Sequence, residues 1–88
     1  MELEIIVEDF EYACRHKRCV LRLVLDPSRV VVLMEQLGED CFLEEPVEVT
    51  VMATDFDYDC RRGGCLLHIE LSEREAERLR SYLASLCL

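Results

Sequence analysis

Asp9 to Cys19 reads DFEYACRHKRC, and Asp55 to Cys65 reads DFDYDCRRGGC. Sliding the chain by 46 residues superimposes the two stretches, and the register holds beyond them: from Asp9–Leu37 against Asp55–Leu83, ten of twenty-nine pairs are identical. The two remaining cysteines, Cys41 and Cys87, obey the same offset. The chain is a tandem duplication, with repeats over about residues 1–42 and 47–88.

At 88 residues the whole chain is near the size at which one core supplies only modest net stability. Neither half can be an independent domain, so residues 1–88 are expected to form a single domain in which the repeats share a core. Hydrophobic residues make up 51% and charged residues 33%, which excludes general disorder. No apolar run approaches the ~20 residues of a membrane-spanning helix. The opening MELEIIVED lacks the basic start and small-residue cleavage site of a secretory leader, which gives an expectation of a cytoplasmic protein. A net charge of −9 argues against binding nucleic acid or anionic membrane. Basic residues are nine Arg to one Lys, Asn is absent and Gln occurs once. Avoidance of thermolabile amides hints at a thermophilic source, where intracellular disulfides are common.

Residues 2–8 place Leu3, Ile5 and Val7 on one face and Glu2, Glu4 and Glu8 on the other, the period of a half-buried strand. Phe10 and Tyr12 follow on the opposite parity, and the second copy repeats the switch between Ala53 and Phe56. A β-bulge near Glu8 and Asp9 reconciles the two. Pairing Cys14 with Cys19 then sets Tyr12 opposite Leu21 and Phe10 opposite Leu23, so the aromatics join the core leucines. Asp26-Pro27 reads as a helix start, and Ser72 with Glu75 as a capping box. Ala76, Leu79, Leu83 and Leu86 form the buried stripe of the second helix; Val30, Leu33 and Leu37 match it in the first, which Gly38 ends.

The element order is therefore ββαββα, and the expected fold class is α+β: a four-stranded antiparallel sheet with two helices on one face. The strand order 1-2-4-3 would make a permuted ferredoxin-like sandwich, and 2-1-3-4 is the alternative. Following chain direction through that arrangement gathers Cys14, Cys19 and Cys41 at one pole and Cys60, Cys65 and Cys87 at the other.

Each pole admits three readings. Directly opposed residues at a non-hydrogen-bonded antiparallel pair lie about 4.5 Å apart at Cα, which suits a disulfide adding roughly 2 kcal/mol. Reduced cysteines can instead act as small hydrophobes. A zinc or redox site is the third reading, with His16 completing Cys14, Cys19 and Cys41, and with Arg15, His16, Lys17 and Arg18 lowering the pKa of a nearby thiol. Asp55, Asp57 and Asp59 share a strand face and form a weak hard-cation candidate; as an EF-hand the segment fails, with Cys60 where Gly is required and Leu66 where the bidentate Glu belongs. His68 on the open sheet face has no identifiable nucleophile partner, so catalysis has no support in the residues. Val31 and Val32 lie where the second helix carries Glu77 and Arg78, and Val20, Val24, Met52 and Leu66, with Ile6, reach the uncovered sheet face. These apolar positions point to a homo-oligomer or a protein partner. The expected function is a small non-enzymatic interaction or oligomerising module with no cofactor; the alternative is a cysteine-based zinc or thiol–disulfide redox protein.

Overall fold

The computed structural model describes Met1 to Leu88. The elements in order are β1 (Glu2–Val7), β2 (Phe10–Arg15), β3 (Arg18–Leu25), α1 (Pro27–Gln36), β4 (Val47–Ala53), β5 (Asp55–Arg61), β6 (Gly64–Glu70) and α2 (Glu73–Leu86). The strands form two three-stranded antiparallel sheets, in the orders β1-β6-β5 and β2-β3-β4. This corrects the expectation of one four-stranded sheet with both helices on one face. Neither 1-2-4-3 nor 2-1-3-4 describes the pairing.

The parity switch is where the topology departs. Leu3, Ile5 and Val7 are buried, yet the next inward residue is Phe10, three positions on. That odd step is a corner: the chain leaves one sheet at Val7 and enters the other at Phe10. Asp9 Oδ1 accepts from the Phe10 N–H at 2.9 Å to hold the bend. In the second repeat Thr54 makes the same turn, its N–H and Oγ1 donating to the Glu70 carbonyl at 2.9 and 3.1 Å. Each repeat thus hands its first strand to the other repeat's hairpin. The hairpin registers agree with the sequence pattern, with Phe10 opposite Leu23, Tyr12 opposite Leu21 and Cys14 opposite Cys19.

Nineteen buried residues from both sheets and both helices form one core, and none of them is charged or polar. Burying a Leu, Ile or Val side chain contributes about 1.5–3 kcal/mol. Leu21, Leu25, Leu67, Leu79 and Leu83 have no exposed surface at all.

In α1, the Asp26 side chain accepts from the Arg29 N–H at 3.0 Å with Pro27 at the first position. The helix closes in a Schellman motif: Gly38 adopts φ +84° and donates to Glu35, and Glu39 donates to the Met34 carbonyl at 2.9 Å. Val30, Leu33 and Met34 are its buried residues; Leu37 is only half-buried. In α2, Ser72 accepts from the Glu75 N–H, while the Glu75 carboxylate does not return to Ser72. It accepts instead from Met52 N–H at 3.1 Å, and Arg78 donates to the Thr50 carbonyl at 2.7 Å. These bonds cover the free edge of β4. Gln36 of α1 does the equivalent for β1, accepting from Glu4 N–H at 2.9 Å and donating to its carbonyl at 2.8 Å. Ala76, Leu79 and Leu83 are buried as expected, but Leu86 is 39% exposed, because α2 ends there.

Leu67→Ala should lower the unfolding free energy by about 2–5 kcal/mol in urea titration, since it opens a cavity between the sheets. Val24→Ala, on the outer face, should change it by less than about 0.5 kcal/mol.

Candidate functional site

All six cysteines are paired: Cys14–Cys19, Cys60–Cys65 and Cys41–Cys87. The first two close the hairpins one rung below the turn, across Cα separations of 4.0 Å. The third joins the segment after α1 to the residue after α2, and Cys41 is 3% exposed. The two-pole arrangement is therefore incorrect, because Cys41 and Cys87 meet rather than sitting at opposite ends. Exchange of β1 and β4 between repeats rotates the halves about a different axis from the one that a single sheet would impose.

That axis can be located from contacts. A residue that touches its own counterpart 46 positions away must straddle the pseudo-two-fold. Cys41–Cys87 does so, and so does Tyr12–Tyr58, whose hydroxyls are 3.3 Å apart. Phe10 and Phe56 pack edge to face at 6.5 Å between centroids, and Phe10–Tyr58 and Tyr12–Phe56 at 5.4 and 5.1 Å. The axis runs from this aromatic quartet, across the core, to the Cys41–Cys87 bond. Tyr12 and Tyr58 remain nearly half exposed. The hydrogen bond to Tyr58, and the repulsion two phenolates would feel, raise the Tyr12 pKa above its ordinary value. The sequence contained the four aromatics but no indication that they would meet across the repeats.

Disulfide pairing leaves neither buried thiols nor a Cys3His zinc site. His16 sits in the first hairpin turn, and nowhere do three His, Cys, Asp or Glu side chains converge to hold a metal ion. Three disulfides also overturn the cytoplasmic expectation: they point to an oxidising environment, where such bonds form and persist, rather than a reducing cytosol.

Asp55, Asp57 and Asp59 lie in a line on the outer face of β5, opposite Glu70, His68 and Leu66. Asp59 pairs with Arg61 at 3.2 Å. With Glu2 and Glu4 of β1 they surround His68 with six carboxylates, of which Glu4 is nearest at 3.9 Å. Ile6 and Leu66 form the only apolar pair on this face. The outer face of the other sheet differs. Ala13, Val20 and Met52 lie side by side on three strands, with Arg22 between Glu11 and Glu48 in the next rows and Val24 beyond. Val20, Met52 and Val24 are 41%, 48% and 59% exposed. Val32 is exposed beside Ile6 and Leu66 in a shallow groove with Arg29, whereas Val31 and Leu66 are half-buried. No protein family, curated protein or solved structure matches the chain.

The intact mass of non-reduced protein should lie six protons below the fully reduced value, with no thiol alkylated in denaturant. Because the Tyr12 pKa is raised on folding, its contribution to stability is complete below the ordinary tyrosine range and is lost as pH rises through the folded value. Ultraviolet titration should show one tyrosine ionising late, and Tyr58→Phe should return it to the ordinary range.

Proposed function

We propose that this chain is a non-enzymatic protein-contact module that self-associates through the outer face of β2-β3-β4. The observation carrying this reading is the exposed apolar row Ala13–Val20–Met52 on a sheet face that nothing in the chain covers. Large exposed side chains scattered singly are ordinary, but a contiguous row rimmed by compensated charges has the composition of a contact surface. Electrostatics narrow the choice of face. Two copies each carrying −9 repel, and the six carboxylates around His68 would meet their equals in any contact made through β1-β6-β5. On the β2-β3-β4 face, Arg22 stands between Glu11 and Glu48, so a second copy approaching about a two-fold axis brings cations toward carboxylates. The groove containing Val32, Ile6 and Leu66 is a secondary apolar surface with Arg29 at its side.

Sedimentation equilibrium over a concentration series should show dimer formation, strengthened by salt that screens the net charge. Val20→Glu should abolish it while leaving the circular dichroism spectrum and thermal midpoint unchanged. A monomer at all concentrations up to about 1 mM would sink the self-association reading, since it bounds the contact at about 4 kcal/mol.

A further inference from the structure

The repeats supply an internal comparison between two hairpin disulfides alike in position, ring size and exposure. Cys14 and Cys60 are exposed, Cys19 and Cys65 half-buried, and both Cα separations are 4.0 Å. Their surroundings differ in two ways. Around Cys14–Cys19 stand Arg15, Lys17 and Arg18, with Arg15 directly opposite Arg18 on the rung beside the bond. No carboxylate lies within 4.0 Å of any of the three, and Arg18 shares a hollow with Arg74 and Arg78 of α2, Glu75 being the one acid there. Around Cys60–Cys65 stand Arg61 and Arg62, with Asp59 immediately before Cys60 and paired to Arg61. Two arginines less one aspartate leave a single net positive charge, against three at the first tip.

The turns differ as well. His16 and Lys17 both occupy the left-handed region, at φ 53° and 63°, which is unfavourable for residues with a Cβ. The second turn places Gly63 at φ 99° and Gly64 at φ 151°, where glycine is under no such penalty. The Cys14–Cys19 bond clamps a turn that its own residues disfavour. Opening it gives that backbone freedom to relax; opening Cys60–Cys65 releases nothing comparable.

We propose that Cys14–Cys19 is a thiol–disulfide exchange site for anionic low-molecular-weight thiols, and that Cys60–Cys65 is its unreactive copy. The attacking species is a thiolate, and the rest of a chain of −9 repels it while the first hairpin tip draws it in. The thiolate attacks the exposed Cys14 Sγ, forming a mixed disulfide as the Cys14–Cys19 bond breaks and Cys19 leaves as thiolate at the cationic hairpin tip. A second thiolate attacks the mixed disulfide and releases Cys14 as thiolate. The two small thiols are oxidised to their disulfide, the cystine is reduced by two electrons, and the two cysteines take up two protons according to their pKa values. Cys41–Cys87 is shielded by the burial of Cys41.

The test uses the intact protein in glutathione, with acid quenching, alkylation and peptide mapping over time. Cys14–Cys19 should open about ten-fold faster than Cys60–Cys65. Cysteamine, a cationic thiol, should narrow the ratio, as should high salt. Arg15→Glu combined with Lys17→Glu, checked for an unchanged circular dichroism spectrum, should bring the two rates together. His16→Gly, which relieves a left-handed residue and leaves Arg15, Lys17 and Arg18 in place, should remove only the part of the preference that comes from the turn. Equal rates in the parent protein, faster opening of either other disulfide, or a preference undiminished by the charge reversal would each overturn the proposal.

Discussion

The hydrogen-bonded ladders between β1 and β6, and between β3 and β4, are the constraint on which the rest of the molecule depends. Both cross from one repeat to the other. Without them, each repeat would be a two-stranded hairpin, a helix and an unpaired strand, too little apolar surface to outweigh the entropy of ordering the chain. With them, each hairpin gains a third strand whose inward residues, Leu3, Ile5 and Val7 or Val49, Val51 and Ala53, complete the core. The free edges that the exchange creates on β1 and β4 are then covered by Gln36 and by Glu75 with Arg78. Repeat-equivalent strand positions are satisfied by different side chains, so the duplication has kept the requirement while changing its chemistry.

Much of this organisation was legible residue by residue. The 46-residue offset, the hairpin registers, the Asp26-Pro27 and Ser72 helix starts and the Gly38 stop all appear in the sequence because each is decided locally, by backbone sterics or by alternation. Partner choice was not legible. The odd step between Val7 and Phe10 announces an irregularity, but a bulge within one strand and a corner between two sheets leave the same trace in the alternation. A bulge would keep both hairpins in one sheet and place Cys41 and Cys87 at opposite ends, whereas the corner brings the two together. The contact between them depends on strand exchange, a long-range pairing that no local pattern encodes. The apolar positions on the outer faces were readable, because period-two alternation states which side a residue faces, whereas the aromatic quartet was not, because its four members meet only across the axis.

Divergence between the repeats has made the two outer sheet faces electrically distinct. The positions of Ala13, Arg22 and Val24 on one face correspond to Asp59, His68 and Glu70 on the other. One face has become strongly acidic and the other nearly balanced and partly apolar, though the backbones beneath are copies. The hairpin tips have moved in the opposite sense: the first is cationic and strained, the second glycine-rich and largely neutralised. Duplication has left two scaffolds of one shape on which side-chain chemistry has been varied separately.

Cys41–Cys87 bears on how such a chain could arise. Of the three disulfides, it alone joins a residue to its own repeat counterpart. In an ancestor composed of one repeat, the hairpin disulfide could form within a single chain, but this bond could form only between two identical chains, as would the exchanged strands. A homodimer of half-length chains, cross-linked through one cysteine per protomer, already contains the architecture. Gene fusion then replaces a concentration-dependent encounter by tethered ends at millimolar effective concentration. The segment from Leu43 to Pro46, which lies between the repeats, is thus the only new covalent link that such an assembly would need.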